Sequence, residues 1–172
     1  MGKKRPTVLS LIIGITALPL MMFVLIPAVL LSLLDYGFSP APEIQPLFIA
    51  AGSLLAIAGI YFAVSTVRTI FAAGRGTPAP WDPPTRLVRS GLYSRMRNPM
   101  LTGGIIILLG ESLIFNSLPL LAWAVLFFAA NHVYFVFSEE PELEKRFGSE
   151  YAEYKKDVPR WLPRLRKTKA KG

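Results

Sequence analysis

The sequence predicts an all-α, polytopic membrane protein, and three observations carry that reading. Apolar residues make up 52% of the 172 residues, and the mean hydropathy of +0.44 is high for a chain that must dissolve in water. Val8 to Leu34 and Leu47 to Val67 contain no charged residue, and each exceeds the ~20 residues that span a bilayer as a helix. All 19 Lys and Arg fall in three segments: Lys3 to Arg5, six arginines from Arg68 to Arg97, and ten basic residues from Lys145 onward. Segments 35–46 and 116–117 hold none, which by the positive-inside rule puts both termini and the 68–98 segment in the cytosol of a bacterial or archaeal cytoplasmic membrane. So placed, the net charge of +8 faces anionic lipid headgroups and not nucleic acid. With no Cys and one His, disulfides, thiolate metal sites, a Cys nucleophile and a histidine metal cage are excluded.

The chain is expected to form one membrane domain. Its first helix, about 8–34, is too long for the ~7–15 residue core of a signal peptide and should be retained. Pro19 and Pro27 predict a kink, tolerated in lipid where neighbours satisfy the freed carbonyls. Residues 35–46 form an outer loop. In the second helix, about 47–70, Gly52 and Ala56, then Gly59 and Ala63, lie roughly on one face, the small-residue pattern that lets membrane helices touch. The connector 74–98 opens on Gly74 to Thr85, whose two Gly and four Pro forbid regular structure. Gly74-x-Gly76 there follows no strand and lacks a third glycine, so it is no dinucleotide fingerprint. Trp81 suits the interfacial belt.

Helices three and four, about 99–115 and 118–138, are joined by Asn116-Ser117, with Pro119 opening the latter, and so form a tight antiparallel hairpin. Glu111, Asn131 and His132 are polar at membrane depth, where ionisable groups draw attention. Glu111 reads as a solvated or hydrogen-bonded helix end, and His132 as a packing or hydrogen-bonding residue with chemistry as the alternative. Glu139-Glu140-Pro141 should end helix four. An amphipathic helix over 142–158 follows, with Leu143, Phe147, Tyr151, Tyr154 and Val158 on one stripe. Trp161 is expected at headgroup level, and 164–172 reads as a basic tail.

The stretch from Ser90 to Gly104 carries the densest signal. Asn98 is a favoured helix N-cap and Pro99 suits the first helical position. The helix beginning there aims free N–H groups and a positive dipole end at the membrane boundary, beside Arg95 and Arg97, a generic site for a carboxylate or phosphate. Gly103 and Gly104 permit close approach by a ligand or another helix.

Gly76-Thr77-Pro78-Ala79-Pro80, Pro83-Pro84, Leu87-Val88, Ser90-Gly91, Tyr93, Arg97-Asn98-Pro99-Met100, Gly103, Glu139-Glu140-Pro141, Arg146-Phe147-Gly148, Tyr151, Tyr154 and Val158-Pro159-Arg160-Trp161-Leu162-Pro163 stand in this order. The chain thereby resembles the bacterial form of the isoprenylcysteine carboxyl methyltransferase family and the related phospholipid methyltransferases, over roughly residues 74–163. That resemblance implies an integral membrane methyltransferase binding S-adenosyl-L-methionine between the cytosolic ends of its last transmembrane helices and the C-terminal segment. It further implies a lipophilic acceptor arriving from the bilayer, either a phospholipid amine or a prenyl-type carboxylate. Asn98 stands where many carboxyl methyltransferases carry His, and Asn-Pro-Met with Glu-Glu-Pro is closer to phosphatidylethanolamine N-methyltransferases.

Methyl transfer from a sulfonium is an in-line displacement with an already activated donor, so the protein supplies binding, orientation and water exclusion. The expected cofactor-binding residues are Tyr93, Arg97, Asn98, Pro99, Gly103, Glu139 and Glu140, with Asn98, Arg97 and His132 as catalytic candidates and no metal. The Asn98-Pro99 helix start and Arg97 suit the donor's carboxylate, the two glutamates its ammonium or hydroxyls, and Tyr93 its sulfonium. Two alternatives are an NADPH-dependent membrane reductase of the steroid 5-alpha-reductase type and a non-catalytic membrane scaffold.

The charge distribution makes topology directly testable, because the absence of Cys gives a silent background. In intact cells Ser39→Cys is expected to react with a membrane-impermeant maleimide, and Ser149→Cys only after permeabilisation. The reverse pattern would invert the orientation.

Overall fold

A computed structural model describes residues 16–34, 37–72 and 86–164. The Gly74–Thr85 connector with Trp81, the start of the first apolar run and the tail beyond Arg164 lie outside the described residues. Among those described, the chain is helical, with one isolated bridge between Gly37 and Ser117. The helices are α1 (Thr16–Leu33), α2 (Gln45–Ala72), α3 (Pro99–Ile114), α4 (Leu118–Phe147) and α5 (Ser149–Asp157). A 3₁₀ turn, Gly91–Ser94, precedes α3. By length and composition α1, α2 and α4 can each cross a bilayer, while α3 is a shorter apolar helix.

Prolines shape two of the long helices in the same way. In α1 the segment Met21–Leu25 is a π turn, in which the Ile26 N–H donates to Met21 O, and Pro27 follows at once. In α4 the π turn is Phe135–Glu139, the Glu140 N–H donates to Phe135 O, and Pro141 follows. The wider turn makes room for a ring that would otherwise strike the preceding turn. The shift leaves Met22 O without its usual helical partner, and Trp123 Nε1 donates to it at 3.2 Å. A carbonyl freed by the turn is thus satisfied by a neighbouring helix, as expected.

The same geometry corrects the predicted end of helix four. Glu139-Glu140-Pro141 does not stop α4, because the π turn absorbs the proline and the helix runs on to Phe147. The break comes at Gly148, whose φ of +56° is a glycine conformation. The single helix expected over 142–158 is thus two pieces. Its apolar stripe is real but folds onto itself: Tyr151, Tyr154 and Val158 form a buried cluster against Leu143, Phe147 and Leu87, not against lipid.

The α3–α4 hairpin turns at Asn116, which takes a φ of +48°, and Ser117 Oγ accepts from the Leu120 N–H at 3.3 Å as an N-cap. Asn116 Nδ2 donates to Gln45 Oε1 at 2.9 Å and Asn116 O accepts from the Phe38 N–H at 2.9 Å, tying the hairpin tip to the first residue of α2. From there α2 and α3 run antiparallel in close contact. A Cβ added to Gly52 would lie 2.6 Å from Gly110 O, and one added to Gly59 2.5 Å from Gly103 O. The small-residue face anticipated on α2 is this interface.

The register of those two pairs brings Pro99 opposite Ala63, nine residues short of the α2 end at Ala72. With 16 residues, α3 spans about 24 Å, against about 42 Å for the 28 residues of α2. Its N-terminus is consequently recessed below the end of its neighbour.

Gly59→Val or Gly52→Val drives a side chain into backbone atoms that cannot move aside. Each should cost about 1–3 kcal/mol or more, read as a fall in the thermal unfolding temperature in detergent. Ile57→Val, on the exposed face of α2, should leave it unchanged.

Candidate functional site

The recess above the start of α3 is filled from two sides. Residues 95–98 lead into the helix, and the segment after α5 crosses them as a strap. The Arg97 N–H donates to Pro159 O at 2.9 Å, the Asn98 N–H to Arg160 O at 3.1 Å, and the Arg164 N–H to Arg95 O at 3.0 Å. Thr102 Oγ1 donates to Trp161 O at 3.3 Å. Trp161 fixes the strap to α4. It is half-buried, packs against Phe128, His132 and Phe135, and donates from Nε1 to His132 Nδ1 at 3.1 Å. His132 thus positions the strap, the hydrogen-bonding role the sequence favoured for it.

Beneath the strap sits Glu140, 3% exposed. Its Oε1 accepts from Arg97 Nη1 at 2.6 Å and Arg160 Nε at 2.7 Å, its Oε2 from Arg160 Nη2 at 3.0 Å, and Lys155 Nζ is 3.5 Å from Oε2. Three cations from three segments surround one carboxylate. Lys155 is shared with Glu144 at 2.8 Å. Glu140 and Glu139 were expected at a helix C-terminus, opposed by its dipole. Because α4 continues through the π turn, Glu140 lies inside the helix and not at its C-terminus, so that end of the dipole does not oppose it.

Glu140 was expected to hold the donor's ammonium or hydroxyls, but its oxygens are taken by arginines and it holds the strap. The neighbouring Glu139 points about 100° away, is only partly buried, and has no hydrogen bond or ion pair among the described residues. Its charge is felt at Tyr93, whose phenol is raised well above its ordinary value by burial first and by Glu139 second. Tyr93 in turn is anchored through its carbonyl, which accepts from Tyr154 Oη at 2.7 Å. Burial pushes the Tyr154 phenol up as well, so it stays protonated as the donor of that bond.

Asn98 occupies the N-cap position and its carbonyl accepts from the Thr102 N–H at 3.0 Å. The side-chain cap anticipated from the sequence is not made. Instead Asn98 Nδ2 is buried without a partner, and so is Arg97 Nε beside it. Buried donors are almost always satisfied, so two adjacent orphans at a helix start ask for an acceptor. Pro99 is buried at the first turn of α3. Gly103 and Gly104 permit close helix packing: the first meets Gly59, Phe62 and Ala63 of α2, the second the ring of Phe23.

Away from this centre, Asn131 Nδ2 bonds Phe127 O one turn back at 2.7 Å. Glu111 departs from its expectation of a solvated or bonded helix end, since its Oε2 is buried and unpaired. Arg160 and Lys155 were assigned no role from the sequence. No periodicity marks them, because their partner lies in another segment. No group of three or more His, Asp or Glu side chains placed to hold a metal is found among the described residues.

Residues 47–150 match the family model for phospholipid methyltransferase. No curated protein matches the chain.

Removing one partner of a buried ion pair costs about 3–5 kcal/mol because a charge is stranded. Glu140→Gln strands Arg97 and is expected to lower the unfolding temperature markedly. Glu139→Gln, with no protein partner to lose, should leave it within error. Equal losses in a thermal unfolding comparison would show that both carboxylates are structural.

Proposed function

The chain belongs to the phospholipid methyltransferase family, and on that premise we propose that it transfers a methyl group from S-adenosylmethionine to a membrane-embedded lipid amine. The observation that supports the donor site is the pair of orphaned buried donors, Arg97 Nε and Asn98 Nδ2, at the start of α3. Glu139, whose charge is felt at Tyr93, has no hydrogen bond or ion pair among the described residues.

The donor is a zwitterion with hydroxyls and a sulfonium, and these residues fit it. Asn98 Nδ2, Arg97 Nε and the helix start suit its carboxylate. Glu139 suits a cationic or hydroxyl group, and the Tyr93 ring offers a face for positive charge. Glu140, saturated by arginines, is not counted among them. When bound, the donor supplies a methyl carbon whose bond to sulfur breaks as an acceptor lone pair attacks, the bonding electrons remaining on a neutral thioether.

The chain's own contribution is orientation and dryness. Arg160 and Arg97, both clamped on Glu140, hold the strap over the helix start, and Trp161 closes it toward the bilayer side of α4. Positioning of this kind is worth a large share of a displacement reaction's barrier. The nitrogen of a phospholipid is favoured over a prenyl carboxylate because the family match is to phospholipid methyltransferases.

Purified protein in vesicles containing phosphatidylethanolamine is expected to transfer label from S-adenosylmethionine to lipid, and not to a soluble amine lacking acyl chains. Asn98→Ala and Glu139→Gln should each weaken S-adenosylhomocysteine binding by about tenfold or more, the worth of a bond to a charged group, with the unfolding temperature retained. Wild-type affinity in both variants would place the donor elsewhere.

A further inference from the structure

Beside the segment that enters α3 lies a cavity of about 500 Å³, lined in part by Arg95. One wall is α2, where Tyr61, Ser65 and Thr69 are four residues apart and share a face. The other is the segment entering α3, including Ser90, Gly91 and Arg95. Gly91 closes the wall: its φ is +59°, and a Cβ there would lie 2.7 Å from Thr69 Oγ1.

Among the described residues the lining is rich in free donors and includes no acid. Thr69 Oγ1 is spent on Ser65 O at 2.8 Å. The Tyr61, Ser65 and Ser90 hydroxyls and the Arg95 guanidinium have no protein partner among the described residues. In this, Arg95 differs from Arg97 and Arg160, which are neutralised by Glu140. An unpaired guanidinium flanked by unpaired hydroxyls is a setting for a tetrahedral oxyanion.

Depth decides which oxyanion. Taking the hydrocarbon core as ~30 Å thick from the uncharged end of α2, Tyr61 at ~24 Å lies within it and Thr69 at ~36 Å lies beyond it. The stripe therefore runs from acyl chains into the headgroup layer, and Tyr61 is 63% exposed. A free anion has no use for such a span, whereas a lipid with a phosphate at its head does.

We propose that this cavity is the headgroup subsite of the lipid acceptor, in which Arg95, Ser65 and Ser90 bind the phosphodiester of a glycerophospholipid and Tyr61 lies against its acyl portion. The proposal rests on the methyl-transfer reading and adds the acceptor's place in it. Arg95 and Arg97 are two residues apart, at most ~7 Å between Cα atoms. A phosphate on Arg95 thus leaves a nitrogen, one ethyl arm further on, within reach of a donor held at Arg97 and Asn98.

The test uses full-length protein in detergent and three probes: dioctanoyl phosphatidylethanolamine, dioctanoylglycerol, which lacks the phosphate, and inorganic phosphate. Binding is read by tryptophan fluorescence, with S-adenosylhomocysteine affinity measured separately by calorimetry. Arg95→Gln should weaken the phospholipid by about tenfold or more, Ser65→Ala by several-fold, and Arg95→Lys by less than Arg95→Gln. Dioctanoylglycerol and S-adenosylhomocysteine should bind all variants as they bind wild type. Phospholipid binding unchanged in Arg95→Gln, with donor binding intact, would overturn the subsite alone. Inorganic phosphate binding as tightly as the lipid would make the cavity a free-anion site and also overturn it. Failure of wild type to bind S-adenosylhomocysteine would overturn both this proposal and the methyl-transfer reading.

Discussion

The arrangement at the open end of the bundle depends on one buried carboxylate. Moving Glu140 out of water costs several kcal/mol, and the attraction of a single cation would not dependably offset that. Here the offset comes from three cations drawn from three places: the residue pair before α3, the helix α5, and the strap after it. The ion cluster joins these segments beside the tyrosine cluster on Leu87 and the fully buried Met96. The backbone bonds from Arg97 and Asn98 to Pro159 and Arg160 follow from that clamp, as does the insertion of Trp161 against His132.

A second constraint is length. Glycine pairs lock α3 to α2 in a register set from the hairpin tip, where Asn116 meets Gln45. Since α3 is much shorter than α2, the unmatched length accumulates at the other end. The recess so formed lies below the end of α2, where water is scarce and a dipole or charge acts strongly. Both the orphaned donors at Asn98 and Arg97 and the polar stripe Tyr61-Ser65-Thr69 border this single step in helix length.

Much of this was legible in the sequence because the signals are local. Hydropathy marked the four apolar segments, Asn116-Ser117 and Pro119 marked the hairpin, and Gly52 and Gly59 marked the interface with α3. The errors also have a physical pattern. Pro141 reads as a helix stop because its missing N–H and its ring are local facts, while the π turn that accommodates it is a property of the whole helix. The stripe from Leu143 to Val158 was correctly aligned, yet only Gly148 and the presence of Leu87 decide that it buries itself and not in lipid. Arg160 could not be paired with Glu140 from twenty residues away, since nothing in spacing connects them. The stripe on α2 was readable as a four-residue polar repeat, but beside the glycines of the same helix it carried no meaning until the facing loop was in place.

The adjacent glutamates show why two identical side chains need not share a role. On a helix they diverge by about 100°, so a packing arrangement that encloses one exposes the other to a different neighbour. Enclosing Glu140 with arginines satisfies it and brings Arg97 to the start of α3 with a nitrogen to spare. That same rotation turns Glu139 toward Tyr93 and away from every cation of the cluster. The result is one carboxylate spent on holding the strap and, one residue before it, another left without a protein partner among the described residues.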